Sequence, residues 1–342
     1  MSLANAAGLL AGFAVDALVG DPRRFHPVAG FGRAATALER RLYRPDRAAG
    51  AVFTAVAVGV PVAAAVAASV ATRRRPLARA ALVAAGTWAV LGARTLRREA
   101  GHMAGALERA DLPAARDRLS HLCGRDPAAL DEPELARATV ESVAENTSDA
   151  VVAPLFWGAV AGLPGLVGYR AVNTLDAMVG HRSARYARFG TAAARLDDVL
   201  NLLPSRLTAA LTVAATPVVH GERAETLRVW RRDGADHPSP NAGHCESAMA
   251  GALGVRLGGR NVYFGRSETR PFLGDGPRPA ALDIRRAARL SGTVGMAATA
   301  LAAGVAAAVG LATRGARRNG RSARTGRGAS SELVARREQG AT

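Results

Sequence analysis

The sequence predicts an all-α fold: a multi-pass integral membrane protein with about four or five transmembrane helices joined by helical hydrophilic connectors. Hydrophobic residues make up 49% of the 342 positions, whereas aromatic residues make up only 4%. The apolar residues are gathered into long uncharged blocks, and the charges lie between them. Composition alone would also fit an Ala-rich soluble helical protein, but several uncharged blocks of about 20 residues are hard to bury in a soluble domain.

The candidate membrane segments differ in strength. The strong blocks, each long and uncharged enough to cross a bilayer as one helix, are 49–72, 150–169 and 290–313. The weaker segments are 3–20, which Asp16 interrupts, 80–93, which is short, and 199–219, which contains Arg206 and two prolines. The first segment lacks the basic n-region and the clear cleavage site of a signal peptide, so we expect it to be retained.

Hydrophilic regions separate these segments and define the predicted domain organisation. Residues 94–149 carry mixed charge and are expected to be helical, and 170–198 and 220–289 form the other connectors. Beyond the last block the chain is rich in Arg, Gly and Ser and lacks apolar periodicity, which is typical of disorder. We therefore predict one membrane domain over 1–313 and a disordered tail over 314–342.

The charge balance excludes several classes of site. The net charge is +17, and every basic residue is Arg. Without lysine the chain forms neither a Schiff base nor a P-loop. Cys123 and Cys245 form no CxxC pair and no disulfide framework. No groove-reading motif or cluster of stacking aromatics accompanies the arginines, so we predict no nucleic acid partner. Arginine is abundant in nearly every connector, so the positive-inside rule does not orient the spans consistently.

Three acids stand at the edge of the second strong block, in the stretch ESVAENTSDAVV. On a helix Glu141, Glu145 and Asp149 are four residues apart and share one face. Like charges at this spacing repel each other, and a cation among them would reverse the effect. Mg²⁺ is commonly held by one or two carboxylates together with phosphate oxygens. The alternative is a solvated helix start, but the position beside a membrane block favours a functional role.

The connector over 169–209 repeats this pattern. Asn173 and Asp176 are three residues apart, and a second acidic and amide turn follows at Asp197, Asp198 and Asn201. The intervening arginines are Arg182, Arg185, Arg188 and Arg195. Because guanidinium groups suit phosphate and carboxylates suit a metal ion, the pattern indicates a site that handles phosphoryl groups. The alternative is an interfacial helix with charge pairs.

The stretch HPSPNAGHCESA at 237–248 is expected to be a loop that leads into a helix. Ser239 or Asn241 can cap this helix, whose N-terminal amide groups can bind an anion. The spacing of His237, His244 and Cys245 fits no standard zinc ligand set.

Four motifs in order resemble those of the CobD/CbiB family, the membrane-associated adenosylcobinamide-phosphate (cobinamide) synthases of vitamin B12 biosynthesis. They are GDPRRFHPV at 20–28, ESVAENTSDAVVAPLFW at 141–157, YRAVNTLDAMVGHRSARYARFGTAAARLDDVLNLLPSRLTA at 169–209 and DHPSPNAGHCESAMAGALGVRLGGRNVYFG at 236–265. The resemblance extends to about residue 313. His244-Cys245 departs from the bulkier or apolar residues expected there, and the Arg-rich tail is peculiar to this chain.

The resemblance implies an amide-forming ligase that joins (R)-1-aminopropan-2-ol, or its O-phosphate, to the f-side propionate of adenosylcobyric acid. It also implies ATP and Mg²⁺ but no bound prosthetic group. A carboxylate and an ammonium do not condense usefully in water, so we expect activation as an acyl phosphate. The implied location is the cell membrane with a cytoplasmic active site, and other corrinoid enzymes are candidate partners.

The site residues implied by the resemblance follow residue type and motif position. The predicted catalytic residues are Glu141, Glu145, Asp149, Asp176 and Asp198. The predicted Mg²⁺ ligands are Glu145, Asp149, Asp176 and Asp197. The predicted substrate-binding residues are Asp21, His26, Asn173, Arg182, Arg195, Arg206, His237, Ser239 and Asn241.

Two other classes of function stay open at the level of sequence. Polar residues near membrane segments often mark ion paths, which would suit a transporter. The richest polar motifs lie in connectors, however, and no inverted repeat is visible. A non-catalytic scaffold that docks other corrinoid enzymes is the third hypothesis.

Overall fold

A computed structural model describes residues 3–21, 26–128, 130–181, 183–263 and 266–339, and their side chains except at 262–267 and 313–339. The helices are α1 (Leu3–Val19), α2 (Pro27–Leu42), α3 (Arg47–Ala71), α4 (Pro76–Val90), α5 (Ala93–Glu108), α6 (Leu112–Leu119), α7 (Glu132–Thr147), α8 (Ala153–Ala161), α9 (Leu163–Leu175), α10 (Thr191–Ala215), α11 (Arg223–Asp233), α12 (Ala242–Leu253) and α13 (Ala281–Gln339). Shorter turns are π-helical at Ser148–Val152 and Asp176–Gly180 and 3₁₀-helical at Thr216–Val219.

Four helical segments are long and apolar enough to cross a membrane, which confirms the predicted fold class. They are Arg47–Ala71, Pro76–Glu108, Thr191–Val219 and Ala281–Ala312, with Leu3–Val19 as a shorter apolar helix. Large apolar side chains point outward from these helices: Val60 is 65% exposed and Leu77 is 86% exposed. Such exposure suits contact with lipid. The domain boundary predicted at 313/314 stays a prediction.

The prediction that 150–169 forms one membrane-crossing helix is wrong. The chain turns at Gly162, whose φ of 67° lies in the left-handed region that favours glycine. Helix α9 then folds back on α8, so closely that a Cβ on Gly165 would lie 2.1 Å from the Trp157 carbonyl oxygen. Pro164, in the first turn of α9, also punctuates the apolar block. The result is a helical hairpin among α3, α10 and α13.

A small β-hairpin is the second departure from the sequence prediction. Strands β1 (Leu257–Tyr263) and β2 (Arg266–Leu273) pair antiparallel, with Leu257 opposite Leu273. Both of these leucines are fully buried and belong to the main hydrophobic core. The hairpin therefore packs against α7, α11 and α12.

The carboxylate of Asp16 within the apolar helix α1 has a structural partner. It is fully buried, and its Oδ2 accepts a hydrogen bond from the Arg94 amide in the first turn of α5 at 3.2 Å. A carboxylate at this position stabilises unpaired amides and the positive end of the helix. In return the Arg94 guanidinium donates to the carbonyls of Ala17 and Leu18 at the end of α1.

Helices α1 and α4 approach each other through glycine. A Cβ on Gly12 would lie 2.4 Å from the Thr87 Cβ, and one on Gly8 would lie 2.6 Å from the Val83 Cβ. Small residues at such crossings allow close packing of apolar helices.

Replacing Gly12 with Val should therefore destabilise the protein. Overpacking of a tight contact costs about 1–3 kcal/mol. The measurement is thermal unfolding of the detergent-solubilised protein. Gly59→Val is the matched control, because a Cβ at Gly59 meets no atom within 4 Å. Equal melting temperatures for the two variants would contradict the close α1–α4 packing.

Candidate functional site

The first wall of the site comes from the end of α7 and the π-helical turn that follows it. Helix α7 begins with a capping box in which Asp131 and Glu134 each bind the other's backbone amide. At the other end, Pro154 has no amide hydrogen to give to the Ala150 carbonyl, which instead accepts from Gly92 at 3.1 Å. The π-helical turn at Ser148–Val152, between α7 and α8, contains Asp149. Such turns are frequent at functional sites.

The second wall is the π-helical turn at the end of α9. Asp176 begins this turn and Gly180 ends it. A Cβ on Gly180 would lie 1.8 Å from the Asp176 Oδ1, so a side chain at this position would force the Asp176 carboxylate to move. The turn therefore provides the space that the carboxylate occupies.

The third wall joins α10 to the loop before α12. Asp197, Asn201 and Ser205 follow each other at intervals of four residues on one face of α10. The side-chain Nδ2 of Asn241 donates to the backbone carbonyl of Asp198 at 2.8 Å, and the Oδ1 of Asn241 accepts from the Ser205 hydroxyl at 3.2 Å. These contacts fasten the loop to α10.

The three walls enclose one polar cavity of about 90 Å³. Its lining contains Glu145, Ser148, Asp149, Asp176, Asp197, Asp198, Asn201, Ser205, Ser239, Asn241, Ala242 and Cys245. Acidic side chains from three separate helical segments, in two of the sequence motifs, therefore converge in a space large enough for only a few small groups. We call this the acidic cavity.

Crowding of the carboxylates changes their protonation. Burial, followed by repulsion from Asp197, Asp198 and Glu145, raises the pKa of Asp176 to about 7. Burial and then the charges of Asp197, Glu145 and Asp176 raise the pKa of Asp149 well above its usual range. Glu145 is more exposed than the other acids of the cavity, but the protein around it still raises the pKa of its carboxyl through desolvation and the nearby charge of Glu141. At neutral pH the acidic cavity therefore holds protons that a cation could displace.

The donor set of the acidic cavity suits Mg²⁺. Carboxylate, amide and hydroxyl oxygens line it, and Mg²⁺ needs only one or two carboxylates because it keeps several waters. Within the described part of the chain, no group of three His, Cys, Asp or Glu side chains is already placed to hold a metal ion. Glu145, Asp149, Asp176 and Asp197 are the residues that would hold the cation, and it would supply charge neutralisation at phosphate oxygens.

Binding of Mg²⁺ should weaken as the pH falls below about 7, the pKa of Asp176. Below that value the ion must displace a proton, so the apparent affinity should fall up to about tenfold per pH unit for each displaced proton. The measurement is calorimetry in two buffers of different ionisation enthalpy, one pH unit below and above the pKa. An affinity that is flat across this interval would exclude Asp176 as a ligand. Without the ion, stability should fall as the pH rises from 3.8 to about 7, because the folded state retains a proton that the unfolded chain has released.

Glu141 does not line the acidic cavity. Its carboxylate accepts from Arg125 at 2.6 Å, from Arg137 at 3.1 Å and from the Gly258 amide at 2.7 Å. All three side chains in this cluster are nearly inaccessible. The three acids were predicted to act together on one helix face. In the structure Glu141 is neutralised by arginines, and only Glu145 and Asp149 line the cavity. The contacts favour a structural role for Glu141.

His237 and Ser239 shape the loop beside the cavity. The Ser239 amide donates to the Nδ1 of His237 at 3.0 Å, which leaves the proton of the neutral imidazole on Nε2. That nitrogen lies 3.9 Å from the Oε2 of the buried Glu246. The Ser239 hydroxyl accepts from the Ala242 amide at the start of α12. Burial lowers the pKa of His237 to about 4, so it is neutral at physiological pH.

Other predicted binding residues lie around the cavity rather than in it. The side-chain Nδ2 of Asn173 donates to the Asp197 Oδ1 at 3.4 Å and so supports the wall of the cavity formed by α10. Arg206 donates to the Leu202 carbonyl on its own helix, and Arg195 is exposed on α10. Arg182 lies outside the described residues.

Asp21 and His26 form a separate pair. The His26 Nε2 lies 3.7 Å from the Asp21 Oδ1, and its Nδ1 accepts from the Val28 amide and caps α2. The charge of the half-buried Arg170 interacts with both Asp21 and Asp149, which connects this pair electrostatically to the acidic cavity.

Sequence reasoning missed several residues at or beside the cavity. Missing from the predicted set were Ser148, Arg170, Ser205, Cys245 and Glu246, while Asn201 was recognised in the acidic and amide turn but given no role. A usable signal existed for Arg170, since a charged residue in an apolar helix indicates a function. Its Nη1 lies 3.4 Å from the Asn173 Oδ1, and its Nε has no hydrogen-bond partner among the described residues.

Comparison with known proteins identifies the family. The model of the family described as CobD/Cbib protein matches residues 9–291. The chain belongs to the CobD/CbiB family of cobalamin biosynthesis proteins. Among its CobD relatives, Cobalamin biosynthesis protein CobD of Mycobacterium tuberculosis is 52% identical over 87% of this chain and 95% of its own length. The CobD protein of Geobacter metallireducens is 47% identical over 78% of this chain and 85% of its own. No solved structure matches the chain.

Proposed function

We propose that this CobD/CbiB protein is an ATP-dependent amide-forming ligase. Its substrates would be adenosylcobyric acid and (R)-1-aminopropan-2-ol or its O-phosphate, and its product adenosylcobinamide or its phosphate. Family membership supports the pathway, and the acidic cavity supports the chemistry. The observation that favours it most is the convergence of five carboxylates from three helical segments on one small space. Such a site can neutralise phosphate through a cation and accept a proton.

The proposed reaction has two steps. A carboxylate oxygen of the corrinoid propionate attacks the γ-phosphorus of ATP, and ADP leaves with the electron pair of the broken P–O bond. The amine then attacks the acyl carbon, the C–N bond forms and phosphate leaves with the electron pair of the C–O bond. The ammonium loses one proton to a base before attack, and the second proton leaves with phosphate.

Asp176 is the best candidate for the base when Glu145, Asp149 and Asp197 hold the cation, because a carboxylate bound to Mg²⁺ is not free to accept a proton. A general base works best when its pKa lies near the operating pH, and the pKa of Asp176 is about 7. Asp149 and Glu145 would share the cation, while Asn241 and Ser239 would orient a polar substrate group at the cavity wall. Arg170, whose Nε has no hydrogen-bond partner among the described residues, is a further candidate for phosphate binding.

We place this site on the cytoplasmic side of the cell membrane, because ATP is a cytoplasmic substrate. The four apolar segments support the membrane location. Accessibility of a cysteine introduced at Ser239 to an impermeant thiol reagent, in sealed right-side-out and inverted vesicles, tests the orientation. Labelling only in inverted vesicles is expected.

The decisive test of the proposed function is an assay of the detergent-solubilised protein with both organic substrates, ATP and Mg²⁺. We expect ATP-dependent formation of the amide, detected by mass spectrometry, together with an equal amount of ADP. Corrinoid flux into sealed vesicles without chemistry would indicate a transporter. Pathway output that survives mutation of the acids would indicate a scaffold.

A further inference from the structure

A cleft lined by five arginines lies at the junction of α1, α5 and α13. Its volume is about 600 Å³, and its charged lining residues are Arg94, Arg97, Arg98, Arg285 and Arg289. No acidic side chain lines it. The acidic cavity shares none of these residues, so this arginine cleft is a distinct feature of the molecule.

Some of the five guanidinium groups are engaged by the protein and others are available to a ligand. Arg285 binds both carboxylate oxygens of Glu108, at 2.5 Å each, and Arg94 binds carbonyls at the end of α1. The Arg98 Nε lies 3.4 Å from Glu99. Within the described part of the chain, Arg97 and Arg289 have neither an ion pair nor a side-chain hydrogen bond. The cleft therefore keeps at least two cationic groups available to an external anion.

The position of the arginine cleft along the helices indicates its depth in the membrane. Helix α1 ends at Val19, α4 ends at Val90, and the uncharged block of α13 begins at Leu290, next to Arg289. The ends lie close together, because the Trp88 Nε1 donates to the Gly20 carbonyl and a Cβ on Gly292 would lie 3.3 Å from the Arg97 Nε. Three apolar helices thus begin or end at a similar level, which is where the hydrocarbon core meets the headgroups. Leu18 is 77% exposed and Val19 is 65% exposed beside the cleft, so apolar surface adjoins the charged surface.

We propose that the arginine cleft binds the phosphate headgroup of an anionic phospholipid. Guanidinium groups pair well with phosphate, and basic groups at this depth attract anionic lipid. The apolar surface of Leu18 and Val19 would meet the acyl chains, which favours a lipid over a soluble polyphosphate. The site would fix the positions of α1, α5 and α13 in the bilayer, and it is independent of the proposed ligase activity.

Native mass spectrometry of the full-length protein in detergent tests this proposal with phosphatidylglycerol and phosphatidylcholine as probes. The wild-type protein should retain phosphatidylglycerol preferentially. The double variant Arg97→Gln/Arg289→Gln should bind it about thirtyfold more weakly, since each basic residue contributes about 1 kcal/mol. The charge-matched control is Arg40→Gln/Arg41→Gln, which changes two exposed arginines on α2 and should bind as the wild type does.

Three results would overturn the proposal. They are equal retention of the two lipids, equal loss in the control variant, and displacement of phosphatidylglycerol by ATP at the same sites, which would assign the cleft to a soluble polyphosphate. Melting temperatures equal to that of the wild type would show that both double variants are folded. If the double variant unfolds, the single variants Arg97→Lys and Arg97→Gln provide the test: Lys should retain part of the lipid binding, and equal binding by both would overturn the proposal.

Discussion

Replacing Asp176 with Asn should lower the turnover of amide formation by about 10²- to 10⁴-fold, the usual contribution of a general base. Asn has nearly the same shape, so it should fit the space that Gly180 leaves, but it neither accepts the proton nor provides a charged ligand. Burial and neighbouring acids hold the pKa of Asp176 at about 7, which suits proton transfer at neutral pH. The measurement is kcat for ADP release and for amide product with both substrates saturating.

Asp117→Asn is the matched control for this variant. Asp117 is exposed on α6 and does not line the acidic cavity, so its replacement should leave turnover unchanged. If the Asp176→Asn enzyme instead turned over at a near-normal rate, Asp176 would be neither base nor essential metal ligand. A loss of ADP release together with amide formation would place Asp176 in the first step, whereas uncoupled ADP release would place it in the second.

Replacing Glu141 with Ala should lower the free energy of unfolding by about 3–5 kcal/mol, the cost of removing one partner from a buried ion pair. The carboxylate is 3% exposed and neutralises Arg125 and Arg137, which are 4% and 7% exposed. It also holds the β-hairpin through the Gly258 amide, so its loss should loosen the hairpin against α7. Thermal or denaturant unfolding in detergent is the appropriate measurement.

Glu225→Ala provides the comparison for Glu141. Glu225 also pairs with an arginine, Arg228, but both side chains are largely exposed, and such pairs contribute about 1 kcal/mol or less. The Glu141 cluster would lose its structural interpretation if both variants unfolded alike. A stable Glu141→Ala protein without activity would restore the catalytic role that the sequence suggested.

The features predictable from sequence were those encoded by local pattern. Uncharged blocks predicted the membrane class, and the predicted site residues include all five acids that line the cavity. The four-residue spacing of Glu141, Glu145 and Asp149 assumed a regular α-helix, however. The π-helical turn at Ser148–Val152 breaks that regularity, and the spacing of the acids does not predict it. Pro154 was the visible clue, since its missing amide frees a carbonyl.

The features that were missed depend on contacts between distant parts of the chain. Glu141 forms an ion pair with Arg125, which is sixteen residues away in the sequence. It also accepts a hydrogen bond from the Gly258 amide, which is 117 residues away. The β-hairpin that brings Gly258 to Glu141 lies in a connector without a clear strand pattern. Gly162 divides an apolar block that hydropathy alone counts as continuous, because hydropathy does not record that the next helix folds back.

The most direct test of the acidic cavity as one site is electron paramagnetic resonance with Mn²⁺ in place of Mg²⁺. The purified protein should bind the ion at a site that either Asp149→Asn or Asp176→Asn weakens strongly, although these residues come from different motifs. Asp117→Asn should bind it normally. Undiminished Mn²⁺ binding in both cavity variants would contradict the shared site and the proposed chemistry with it.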